Sequence, residues 1–98
     1  MKRPLFQVDF NALRERGLVA LSFDDTKKDV TGETVALYEG LAVSVFEDDT
    51  FEGKVEYLFA SGTAERNTTN DWPIVKWFCR IDSRGIRHEP NLTPDDSL

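Results

Sequence analysis

Residues 72–88 constrain the fold of this chain more than any other part of the sequence. If this segment is extended, successive side chains point to opposite faces, and one face then carries only apolar side chains: Val75, Trp77, Cys79 and Ile81. Such a face must pack on a core, and Trp77 is its largest side chain. Residues 82–85 then supply turn chemistry, and Ile86 begins a short return strand. The sequence therefore predicts a β-hairpin around which the fold forms.

Alternating apolar residues mark four further extended segments, at residues 5–10, 18–23, 34–46 and 51–61. Between the first two, Asn11 can cap a helical turn, and Gly17 can end it. This pattern predicts a mainly β fold. We expect a small antiparallel β-barrel or curled sheet of five or six strands, with one short helical turn near the N-terminus. The strand count is compatible with an SH3-like architecture, an analogy that implies no function.

The predicted strands differ in how they are buried. Residues 18–23 are largely apolar on both faces, and Val19, Leu21 and Phe23 share one of them, so we expect a central, covered strand. Residues 51–61 instead alternate between apolar and charged side chains, which is typical of a half-buried strand.

The segment at residues 34–46 has two interpretations. Its apolar residues keep one parity on both sides of Gly40: Val35, Leu37, Leu41, Val43 and Val45. Either one long strand bends sharply at Gly40, or residues 38–40 form a tight turn between two strands. The unbroken parity favours the bent strand.

Polar segments set the predicted loops and the domain boundary. Residues 24–33 are charged and contain a glycine, and residues 62–71 are rich in Thr and Asn, so both are predicted to be loops. Residues 89–98 contain two prolines and few apolar side chains. We therefore predict a single β domain over residues 1–88 and a disordered tail over residues 89–98.

Charge and cysteine content narrow the classes of function. The net charge is −6, whereas proteins that grip nucleic acid through its phosphates need an excess of Lys and Arg. Cys79 is the only cysteine, which excludes an intrachain disulfide and favours a reducing compartment. The first residues lack the apolar core of a signal peptide, and no apolar run reaches membrane-spanning length. These features predict a cytoplasmic protein without a membrane segment.

The residues that could support catalysis or metal binding have simpler structural roles. Cys79 shares the apolar face of the predicted hairpin, where cysteine behaves as a small buried hydrophobe. His88 has no evident acid–base partner in the sequence. The acidic turns near Asp24 and Asp48 do not have the ligand spacing of a calcium loop. We therefore predict no enzyme activity, no catalytic residue, no cofactor and no metal ligand.

The candidate site lies on the predicted hairpin. Three apolar side chains lie on its partly polar face: Trp72, Ile74 and Phe78. They either form an exposed patch or are covered by a second layer of the chain. Basic side chains flank them: Lys76, Arg80, Arg84 and Arg87. The sequence favours a non-enzymatic protein-interaction module that contacts a protein partner or a second copy of itself through this hairpin. The alternative is a single-stranded nucleic-acid-associated barrel that uses the basic and aromatic side chains.

Overall fold

Short strands make up most of the computed structural model, which describes residues 3–14, 17–50, 52–69 and 72–89. These ranges contain the 3-10 turn Phe10–Ala12 and nine strands: β1 (Leu5–Gln7), β2 (Leu13–Arg14), β3 (Leu18–Ser22), β4 (Thr26–Lys28), β5 (Thr34–Ala36), β6 (Ala42–Asp48), β7 (Tyr57–Arg66), β8 (Trp77–Ile81) and β9 (Arg87–Glu89). The prediction of a mainly β fold with one short helical turn near the N-terminus is confirmed.

Most of these strands form one curled sheet, a half-barrel. Its order is β1-β6-β7-β8-β3-β2, and β9 also pairs with β7. Neighbouring strands run antiparallel, apart from β1 and β6, which run parallel. The predicted curled sheet is therefore confirmed, with one parallel pair that the sequence did not indicate.

The remaining two strands, β4 and β5, form a separate hairpin that packs on the curled sheet. Val35 of this hairpin contacts the main core, which includes Phe6, Val19, Val43 and Trp77 from the sheet. Residues 24–33, predicted as a loop, therefore contain a strand. The prediction is wrong here because β4 carries no apolar side chain, and its pairing with β5 defines it as a strand.

The prediction of a hairpin at residues 72–88 is wrong. β8 pairs with residues 62–66 of β7, whereas β9 pairs with residues 57–59 of the same strand. The turn at residues 82–85 forms as predicted, and the Gly85 N–H donates to the Asp82 carbonyl at 3.0 Å. However, the chain continues along β7 after this turn instead of folding back on β8. β8 and β9 thus form one interrupted strand beside β7.

The strand β7 begins and ends later than the sequence predicts. It covers Tyr57–Arg66, so residues 62–66, predicted as a loop, are a strand that pairs with β8, and residues 62 and 63 also pair with β6. This pairing overrides the weak strand preference of these residues. Gly62 allows the close approach of β8, because a Cβ atom on Gly62 would overlap the Arg80 carbonyl oxygen.

Of the two interpretations of residues 34–46, the tight turn is correct and the bent strand is wrong. The Leu41 N–H donates to the Tyr38 carbonyl at 3.1 Å, and Gly40 has a φ of 86°. The chain leaves the β4–β5 hairpin at this turn and enters β6 in the curled sheet. Parity is preserved because both layers direct apolar side chains into the same core.

Two details at the ends of the chain differ from the prediction. The cap of the N-terminal turn is Asp9, whose carboxylate accepts the Asn11 N–H at 2.9 Å, and not the Asn11 side chain. At the other end, Glu89 belongs to β9, where it pairs with Tyr57. Residues 90–98, the rest of the predicted disordered tail, lie outside the described residues.

Candidate functional site

An apolar groove lies where the start of β8 meets the end of β3. It is lined by Ala20, Phe23, Trp72, Pro73, Ile74 and Val75 and has a volume of about 520 Å³. Three of its side chains are large and exposed: Phe23 (63%), Trp72 (40%) and Ile74 (72%). The apolar groove is therefore an accessible surface made of aromatic and aliphatic side chains.

A tight turn at residues 72–75 builds one wall of the apolar groove. The Val75 N–H donates to the Trp72 carbonyl at 2.9 Å, and Pro73 occupies the turn position that a fixed φ favours. The Asn67 side-chain amide donates to the carbonyls of Trp72 and Val75 at 3.2 and 2.8 Å. Trp72 itself has a φ of 53°, which is uncommon for a bulky residue.

The other wall is Phe23, which the sequence placed on the buried face of β3 with Val19 and Leu21. That prediction is wrong, because β3 ends at Ser22 after an irregularity in its pairing with β8. The Ser22 hydroxyl then donates to the Thr26 carbonyl and accepts the Asp24 N–H, which turns the chain. The serine and the two aspartates around Phe23 are the sequence signal that could have indicated this turn.

Asp25, two residues after Phe23, contacts the start of β8. Its carboxylate accepts the Trp77 indole N–H at 3.0 Å and lies 3.5 Å from the Lys76 ammonium and 3.7 Å from the Arg66 guanidinium. The hydrogen bond from Trp77 lowers the pKa of the Asp25 carboxyl, and the charge of Lys76 lowers it further. Sequence reasoning missed this contact because it assigned Asp25 to a solvent loop.

The predicted apolar site residues separate into two groups. Trp72 and Ile74 are exposed, as the patch interpretation requires. Phe78 is buried, with 3% of its surface exposed, and cannot contact a partner. The correction follows from the coverage of β8 on both faces, because Trp77 and Phe78 are consecutive residues that point to opposite sides of the sheet and both are buried.

The four basic residues of the predicted site do not form an open cationic surface. Lys76 contacts Asp25, and Arg80 binds Glu65 through two contacts of 2.7 and 2.9 Å. The remaining two arginines also have partners: Arg84 lies 2.9 Å from Asp82, and Arg87 packs over the Phe59 ring at 5.1 Å.

The electrostatics agree with this pairing. The hydrogen bond from Arg80 lowers the pKa of the Glu65 carboxyl. Because phosphate binding needs cations that are available to the ligand, these contacts weaken the nucleic-acid alternative.

The only cysteine of the sequence, Cys79, and its only histidine, His88, lie in different parts of the structure. Cys79 is fully buried in the core, and its burial raises the pKa of the thiol to about 12, with a smaller contribution from Asp82. His88 lies on β9, where its Nδ1 atom is 2.9 Å from a Glu56 carboxylate oxygen. A Cys–His nucleophilic pair is therefore not assembled.

This burial gives a direct prediction for thiol chemistry. Because the thiolate is the reactive form, we expect Cys79 to resist an aromatic disulfide reagent at neutral pH in the folded protein and to react fully in denaturant. The release of the coloured thiol measures both rates. Fast reaction of the folded chain would contradict the position of β8 in the core.

Among the described residues, no three His, Cys, Asp or Glu side chains come together as a metal site. The acidic turns use their carboxylates locally: Asp29 accepts hydrogen bonds from Thr31, and Asp48 does the same from Thr50. In the same part of the chain, no helix has the length and apolar character needed to cross a bilayer.

Comparisons of the chain with protein-family models, with curated proteins and with solved structures find no match. The SH3-like architecture stays a prediction.

Proposed function

We propose that the chain is a non-enzymatic protein-interaction module that binds an apolar segment of a partner protein in the apolar groove. The observation that carries the proposal is the joint exposure of Phe23, Trp72 and Ile74 on adjacent turns. Large aromatic and aliphatic anchors of this kind dominate the energy of protein interfaces. The left-handed backbone of Trp72 adds support, because strained conformations concentrate at binding sites.

The charge around the apolar groove favours one kind of occupant. The chain has a net charge of −6, and Asp24, next to Phe23, makes no ion pair with any residue that the structure describes. Two copies of so acidic a chain repel each other, whereas a segment with Lys or Arg beside its apolar residues is attracted. We therefore propose a cationic, apolar peptide segment as the occupant in preference to a second copy. A cytoplasmic setting, consistent with the single cysteine, belongs to the same proposal.

A peptide selection tests this proposal. A displayed library of random twelve-residue peptides is selected on the wild-type chain, with the Ile74→Asp variant as the competing target. We expect the enriched peptides to carry Leu, Phe or Trp next to Lys or Arg. Ile74→Asp should weaken their binding by about tenfold or more, because it places a charge in the apolar contact.

The control for this test is Val55→Asp, which replaces an exposed apolar side chain near the opposite end of β7. Peptide binding to this variant should match that of the wild type. Equal binding to Ile74→Asp would overturn the proposal. So would concentration-dependent amide shifts at Trp72 without peptide, which would indicate self-association, or shifts that only single-stranded RNA produces.

A further inference from the structure

A second cavity, which shares Ala20 and Phe23 with the apolar groove, lies between the β4–β5 hairpin and the curled sheet. It has a volume of about 790 Å³ and is open to solvent. Apolar side chains at its wall include Val8 and Ala20, and polar ones include Gln7, Thr34 and Lys27. This size and mixed lining suit a small organic ligand.

The pairing of β4 with β5 fixes the direction of the Lys27 side chain. Lys27 lies directly opposite Val35, and residues paired in this way point to the same face of a hairpin. Val35 packs on the main core, so Lys27 also faces inward. The burial pattern supports this inward direction, because Lys27 and Val35 are half-buried while their neighbours in both strands are exposed. The hairpin therefore directs one ammonium group into the gap above the sheet.

This ammonium group has no counter-ion among the described residues, in contrast to Lys76 and Arg80. Two carboxylates, of Asp9 and Asp24, lie at the cavity wall, and neither is within ion-pair distance of Lys27. Asp9 is occupied in capping the N-terminal turn. Removing a charged group from water without a partner is unfavourable, and burial lowers the pKa of Lys27 accordingly.

We propose that this cavity binds a small organic monocarboxylate, whose carboxylate contacts the Lys27 ammonium and whose apolar part lies against Val8 and Ala20. A bound carboxylate would supply the counter-ion that the chain itself does not. The charges of Asp9 and Asp24 at the wall select against a dianion, because two negative charges on the ligand would raise the repulsion. Phosphate is therefore excluded as the preferred ligand.

Amide NMR titration tests the proposal with hexanoate as the probe. Hexanol, sodium phosphate and sodium chloride serve as comparison solutes at equal ionic strength. Hexanoate should produce saturable shifts at Val8, Ser22 and Lys27, and the comparison solutes should not. Lys27→Met should weaken hexanoate binding by about tenfold or more, since a charge-assisted contact is lost. Lys54→Met, which removes the same charge from an exposed residue outside the cavity wall, should leave the affinity within about twofold.

A measurement on the wild-type chain tests the proposal even if one of the variants does not fold. Nuclear Overhauser contacts from the hexanoate methyl group to the Val8 side chain are expected in the wild type. The absence of saturable shifts in the wild type overturns the proposal. Equal losses in Lys27→Met and Lys54→Met, or stronger binding of phosphate or hexanol than of hexanoate, overturn it as well. Because Ala20 and Phe23 line both sites, all of these measurements are made without peptide, so their outcomes do not depend on whether the apolar groove binds peptides.

Discussion

Gly62→Ala is expected to lower the free energy of unfolding by about 3 kcal/mol. The added Cβ would overlap the Arg80 carbonyl oxygen, lie 2.8 Å from the Arg80 carbonyl carbon and lie 3.1 Å from the Cys79 sulfur atom. Two of these three atoms belong to the backbone of β8, which pairs with β7 on one side and β3 on the other. β8 therefore cannot move away without disturbing both ladders. Urea unfolding measures the effect as a lower midpoint at an unchanged slope.

Gly40→Ala is the matched control for this experiment. Gly40 has open space around its Cβ position but a φ of 86°, so alanine there meets backbone strain without a collision. A cost of about 1 kcal/mol is expected from that strain. If Gly62→Ala cost no more than Gly40→Ala, the close approach of β7 and β8 would be wrong.

Alternation identified residues that face the core but did not reveal whether the opposite face of the strand is covered. Val43 and Val45 in β6 were assigned to an apolar face, and both are buried. Their neighbours Ser44 and Phe46 are buried as well, so β6 is covered on both faces. A period-two pattern therefore indicates one inner face and leaves the exposure of the other face open.

The same limit applies to β8. In β8, Trp77 and Phe78 are both buried, so the parity of Phe78 carried no information about its exposure. The sequence also did not show which strands pair with one another. The turn at residues 82–85 is encoded locally and was predicted, whereas the pairing of β9 with β7 depends on residues far away in the sequence.

The candidate site was predictable only in part for related reasons. Trp72 and Ile74 were identified because the alternation places them on the partly polar face of the predicted hairpin, opposite Val75 and Trp77. Phe23 and Asp25 were missed, because their roles arise from a chain turn after β3 and from a contact across more than fifty residues. The inward direction of Lys27 likewise follows from its pairing with Val35, which composition cannot reveal.

The two tryptophans provide the sharpest test of the assignment of core and surface. Trp77→Ala is expected to lower the free energy of unfolding by about 3–5 kcal/mol, because it leaves a large cavity in the core. It also removes the indole N–H that Asp25 accepts and the ring over which the Arg66 guanidinium packs at 4.9 Å. Since the free energy of unfolding of small domains is about 5–15 kcal/mol, this variant loses a large share of its stability.

Trp72→Ala should behave in the opposite way. Its side chain is 40% exposed, and alanine retains the backbone carbonyl that accepts hydrogen bonds from the Val75 N–H and the Asn67 amide. We expect a cost of about 1 kcal/mol or less in unfolding and a loss of peptide binding in the apolar groove. Urea unfolding followed by circular dichroism, combined with the selected peptides, measures both properties on each variant. If Trp72→Ala were as unstable as Trp77→Ala, Trp72 would belong to the core. The exposed surface on which the proposed function depends would then not exist.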